Sequence, residues 1–115
     1  MKKKLAIVGS RSFTDQRLFD KLLDSYSNNV EVVISGGARG ADTLAERWAK
    51  KHNIPCIVYT ADWDTYGKRA GYLRNVKIIK ECDVCIAFWD GKSKGTQHSI
   101  SLCDKLNKRC KVIRI

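Results

Sequence analysis

The sequence predicts an α/β fold: a single Rossmann-like three-layer domain with a five-stranded parallel sheet in the order 3-2-1-4-5. Three observations carry this expectation. Five short apolar runs alternate with helical patterns along 115 residues. The runs show little in/out alternation, as parallel strands covered on both faces do. Three of them end in glycine turns that lead toward a helical pattern. The whole span 1–115 reads as one domain, long enough for a core without staples.

Each element follows in order. Leu5–Val8 is the first strand, ending at Gly9-Ser10-Arg11. Leu18, Phe19, Leu22, Leu23 and Tyr26 form a helical stripe with Thr14 or Asp15 as N-cap. Val30–Ile34 is the second strand and runs into Ser35-Gly36-Gly37-Ala38-Arg39-Gly40-Ala41-Asp42. Ala41, Leu44, Ala45, Trp48 and Ala49 then repeat at helical spacing, closed by Asn53 before Ile54-Pro55. Cys56–Tyr59 is the third strand. Ala61–Gly71 reads as the longest irregular segment, a lid or wall carrying aromatics, acids and bases together. Tyr72, Val76 and Ile79 mark the next helix, and Val84–Trp89 the fourth strand. Asp90-Gly91-Lys92-Ser93-Lys94-Gly95-Thr96 opens a last helix marked by Leu102, Cys103 and Leu106, before a final strand at Lys111–Ile115. Trp48 and Trp89 take core-like positions.

A hydrophobic fraction of 43% with 30% charged residues is ordinary for a globular domain. The net charge of +10, from 22 basic against 12 acidic residues, favours polyanionic ligands and speeds their encounter. Of the five cysteines, Cys82 and Cys85 have C-x-x-C spacing, but no second pair completes a zinc site. No metal and no cofactor is expected, and reduced thiols suit the cytoplasm. Met1-Lys2-Lys3-Lys4 reads as a solvated lead-in, because the apolar run behind it is too short for a signal sequence. No membrane span is expected.

Ligands of such sheets bind beyond the carboxyl ends of the strands, where the strand order reverses between the first and fourth. That rule places Gly9, Ser10 and Arg11 on one lip of a crevice and Asp90 and Gly91 on the other, with Gly36, Gly37, Arg39 and Gly40 beside them. Helix N-termini there present free amides and a positive dipole end to an anion. Arg11 and Arg39 suit phosphate or base contacts. Ser93, Gly95 and Thr96, flanked by Lys92 and Lys94, form a second phosphate seat. Asp42 sits in the first turn of its helix, Arg74 and Asn75 early on theirs. Trp63 and Tyr66 suit base stacking. Asp62, Asp64, Asp90 and His98 are candidates for acid/base work, since glycosidic hydrolysis needs carboxylates to stabilise a cationic centre and activate water. The glycine turn matches neither G-x-G-x-x-G nor a P-loop, which argues against hydride transfer and NTP hydrolysis.

Taken together, Gly9-Ser10-Arg11-Ser12-Phe13-Thr14-Asp15, Ser35 to Asp42 with Leu44-Ala45-Glu46, Ala61-Asp62-Trp63, Tyr66-Gly67-Lys68, Ala70-Gly71, Arg74-Asn75 and Ala87-Phe88-Trp89-Asp90-Gly91 through Gly95-Thr96 carry a resemblance. Over nearly its whole length the chain resembles the YspA-like (YAcAr) branch of the SLOG superfamily. The resemblance implies binding of a nucleotide or an ADP-ribose-like ligand, as a sensor or sequestering protein. The chain is more distantly similar to the "lonely guy" phosphoribohydrolases. Arg74 and Gly95-Thr96 match their pattern, while Asn75 replaces a lysine and Ser99 stands where the catalytic glutamate should be. That departure implies a phosphate seat without the catalytic machinery, with N-glycosidic hydrolysis the alternative. Ser35, Gly36, Ala38, Gly40 and Asp42 also match a turn of the DNA-processing protein A family, which implies single-stranded DNA binding as another alternative. Homodimers or higher homo-oligomers are common among SLOG relatives and are carried over as an expectation.

Overall fold

Alternation of burial along β1 (Lys3–Gly9) shows how the sheet is built. In the computed structural model, which describes residues 2–115, Leu5 and Ile7 enter one core while Ala6 and Val8 enter another. Both faces are dry, so the strand reads as a continuous apolar run. Parallel pairing joins β1 to β2 (Val30–Ser35) and β4 (Val84–Trp89), with β3 (Cys56–Val58) beyond β2 and β5 (Arg109–Arg114) beyond β4. The resulting order is β3-β2-β1-β4-β5, as the sequence predicts.

One face is covered by α1 (Gln16–Leu23) and α2 (Ala41–Lys51). Phe19, Leu23, Leu44 and Trp48 pack there against Val33, Ile86 and Phe88, with Phe88 stacked between Phe13 and Phe19 at 5.0 Å. Asp15 caps α1 by accepting the Leu18 N–H at 3.1 Å. The other face is covered by α4 (Ala70–Glu81) and α5 (Lys94–Lys105), whose Ile78, Ile79 and Cys103 meet Ala6, Val8, Ile34 and Ala87. Crossing from one face to the other after β3 is what reverses the strand order beside β1.

Several expected details shift. β1 begins at Lys3, so Lys3 and Lys4 belong to the strand rather than to a lead-in, whose Met1 lies outside the described residues. Leu18 and Tyr72 are exposed, because the buried face of α1 is formed by Phe19 and Leu23 and that of α4 by Ala70, Asn75, Ile78 and Ile79. Tyr26 lies in a 3-10 segment, Asp24–Asn29, that follows α1. Trp89 is half-buried: as the last residue of β4 it emerges past the sheet, donates to the Ser93 carbonyl at 3.1 Å and carries Arg114 over its ring. The stretch Ala61–Gly71 is mostly helical. Asp62 caps the single turn α3 (Trp63–Tyr66), and a 3-10 turn at Gly67–Arg69 leads straight into α4.

Candidate functional site at the carboxyl ends of the strands

Ser10 ties the three glycine junctions together. Its N–H donates to Phe88 O at 2.9 Å, and its carbonyl accepts from Phe13 and Ala41. Its hydroxyl accepts the Asp90 N–H at 3.1 Å. The end of β1, the start of α2 and the loop after β4 are thereby held at one point. Two glycines make that closeness feasible. A Cβ on Gly9 would meet the Ala41 Cβ at 2.6 Å, and one on Gly40, at φ +73, would run into the Ser10 and Arg11 carbonyls.

Around this point opens a cleft of about 420 Å³, within the size range of small-molecule sites. Gly9, Ser10, Arg11, Asp42, Arg74, Asn75, Asp90, Ser93, Gly95 and Thr96 line it. A neighbouring hollow of about 330 Å³ is lined by Gly36, Gly37, Arg39, Thr60, Ala61 and Trp63. Arg11, Ala38 and Arg74 border both, so two guanidinium groups stand at the junction.

Arg74 is half-buried and well held. Its Nη1 donates to Gly36 O at 2.7 Å and its Nε to Asn75 Oδ1 at 3.1 Å. Burial lowers its pKa, Asp42 opposes that and the Arg11 charge adds to it. Asp42 is the buried counter-charge. Burial pushes its carboxyl up to about 6, although the Ala38 N–H, the Arg74 charge and the Gly36 N–H all favour the ionised form. Asp90 is held below the usual carboxylate range by the Lys92 and Ser93 amides, each donating at 2.8 Å. Both cleft carboxylates are therefore already engaged in holding loops.

Ser93 caps α5: its hydroxyl accepts from Thr96 N at 3.4 Å and pairs with the Thr96 hydroxyl at 3.0 Å. The first amides of the helix, at Lys94 and Gly95, have no acceptor within it. A Cβ added at Gly95 would meet nothing within 4 Å, so this helix start is open toward the cleft. Lys92 and Lys94 are exposed and outside the lining.

Other expected residues fall elsewhere. The Asp62 carboxylate accepts from Thr65 N at 3.1 Å as a helix cap, and Tyr66 lies exposed on α3; neither lines a hollow. His98 lies in the second turn of α5 and points toward α4. There it shares a hydrogen bond with Asn75 Nδ2 at 3.3 Å and meets the Tyr72 ring edge-on, and burial lowers its pKa. Gly40 shapes the turn without lining either hollow. Conversely, Ser12, Ala38, Thr60 and Ser99 line the hollows without having been singled out as ligand contacts. Thr60 follows the third strand's carboxyl end, and Ser99 lies one helical turn beyond Gly95, so the strand-end rule and helical spacing both pointed at them.

A parallel sheet with this order reversal and a basic crevice over its strand ends defines a Rossmann-like ligand-binding domain. The chain belongs to the YspA, cpYpsA-related SLOG family, whose model matches residues 3–66. It is 38% identical over 112 residues to the Gene 61 protein of Mycobacterium phage D29, covering 90% of each. Its fold is similar to that of DNA processing protein A from Streptococcus pneumoniae, with a TM-score of 0.83 over 99% of this chain at 20% identity. The same protein from Helicobacter pylori, whose structure concerns single-stranded DNA binding, gives a TM-score of 0.74 over 95% of this chain at 26% identity. The chain spans only 51% and 64% of those two proteins.

Proposed function

We propose that the chain binds a nucleotide or nucleotide-derived phosphate ligand across the two adjoining hollows, as a sensor or sequestering protein. The observation that carries this reading is the pair Arg11 and Arg74, which border both hollows beside the open start of α5. Two cations and free helix amides suit a phosphate group. Trp63, 51% exposed at the rim of the second hollow, offers a face for a base. Family membership supports the same class of ligand. Hydrolysis finds less support: Ser99 lies buried in the cleft wall where the related hydrolases carry a glutamate, and Asp42 and Asp90 are engaged by backbone amides.

The test is a melting-temperature panel of mononucleotides, dinucleotides, cyclic nucleotides and ADP-ribose. A bound ligand at ~100-fold above Kd should stabilise the chain by about 2.7 kcal/mol. A panel without any shift overturns the reading.

Single-stranded DNA binding is a second reading, favoured by the net charge of +10 and by the Helicobacter pylori neighbour. Salt separates the two. Affinity for a strand falls with salt by about 0.7 log units per log unit for each phosphate contacted, whereas a mononucleotide on two or three contacts responds weakly. Submicromolar oligonucleotide binding that survives high salt, with no nucleotide competing, would make DNA the ligand.

A further inference from the structure

Away from the cleft, near the amino ends of the last two strands, three thiols from three separate elements meet. Cys85 on β4 stands opposite Cys110 on β5, and Cys103 comes down from α5. Their sulfur atoms all lie within 4.8 Å of one another. Cys85 and Cys103 are buried, Cys110 half-buried, and none is in a disulfide. The other two cysteines are occupied differently. Cys82 donates its S–H to the Ile79 carbonyl at 3.2 Å, and Cys56 packs against the core on the opposite face of the sheet.

A single buried thiol needs no explanation beyond its bulk. Three sulfurs turned on one another do, since each S–H there finds chiefly another sulfur.

We propose that Cys85, Cys103 and Cys110 form a three-thiolate site for one soft d10 cation of the Cu(I) type. Thiolates select such ions. Metal–sulfur bonds of ~2.3 Å around a trigonal centre put the sulfurs about 4 Å apart, so the cluster need only contract slightly. A closed zinc site would want a fourth donor, and among the described residues no further His, Cys, Asp or Glu joins the group. On binding, three S–H protons pass to solvent as three metal–sulfur bonds form, and no electron is transferred.

The reduced, full chain is titrated anaerobically with Cu(I) against a competing chelator, reading ultraviolet charge-transfer absorption and metal content. One cation per chain is expected, with a raised melting temperature. Cys110→Ser, at the half-buried edge position, should weaken binding by at least about 100-fold, the upper end of what losing even an outer-shell partner costs. Cys85→Ser and Cys103→Ser should do the same, with far-UV circular dichroism confirming that each variant folds. Cys56→Ser and Cys82→Ser should bind as the parent does. The proposal is overturned by failure of the parent to compete for Cu(I), or by Cys110→Ser binding like the parent. A Cys82→Ser or Cys56→Ser loss equal to that of Cys110→Ser overturns it too.

Discussion

Asp42→Asn tests how the cleft is held together. Asp42 is 7% exposed in the first turn of α2, and burial lifts its carboxyl from an ordinary 3.8 to about 6. Between those pH values the folded chain keeps a proton that the unfolded chain has released. Stability from this group is therefore complete below pH 3.8 and is lost as pH rises through about 6. A gap of roughly two pH units, at 1.36 kcal/mol each, amounts to about 3 kcal/mol. The amide of the variant carries no charge at any pH, and its Oδ1 can still accept the Ala38 N–H. The unfolding free energy of the variant minus that of the parent should thus rise by about 3 kcal/mol between acid and neutral pH. Urea denaturation of both proteins across about pH 4 to 8 measures this, and the subtraction cancels every other titration. A flat difference refutes the buried-carboxylate account. A difference that falls with pH would show that Arg74 and the loop amides outweigh burial.

Gly95→Ala should leave melting unchanged or raise it, by up to about 1 kcal/mol of helix propensity, because the new methyl meets nothing within 4 Å. Nucleotide affinity by calorimetry should fall about tenfold, or ~1.4 kcal/mol, if phosphate seats on the α5 amides; unchanged affinity would place it elsewhere. Trp63→Ala should cost about 1–3 kcal/mol of base stacking with little change in melting, and a variant that binds like the parent removes Trp63 from the site. Gly40→Ala should destabilise by about 3 kcal/mol or more, since its backbone sits at φ +73 and its Cβ would strike two carbonyls; a melting temperature close to the parent's would refute that.

Element order, the reversal beside the first strand and the lips of the crevice are legible in the chain alone. Apolar runs without alternation reveal strands buried on both faces, and right-handed crossovers then leave few arrangements. Gly9, Ser10, Arg11 and Asp90 could be placed from strand ends alone, because that rule depends on chain order and not on side-chain direction. Tertiary structure decided where side chains point. Asp62 and His98 read as chemistry, yet one caps a helix turn and the other braces Asn75 between α4 and α5. Leu18 and Tyr72 fit a helical stripe but fall at its solvent edge, since periodicity locates a face only to within a residue. The thiol cluster shows the limit most clearly. Cys82 and Cys85 are neighbours in sequence and suggest a pair, but the strand places Cys85 beside Cys110, far along the chain, where α5 brings Cys103 onto both. Spacing along a chain reports on local geometry, whereas convergence across β4, α5 and β5 arises only when the sheet closes under its helices.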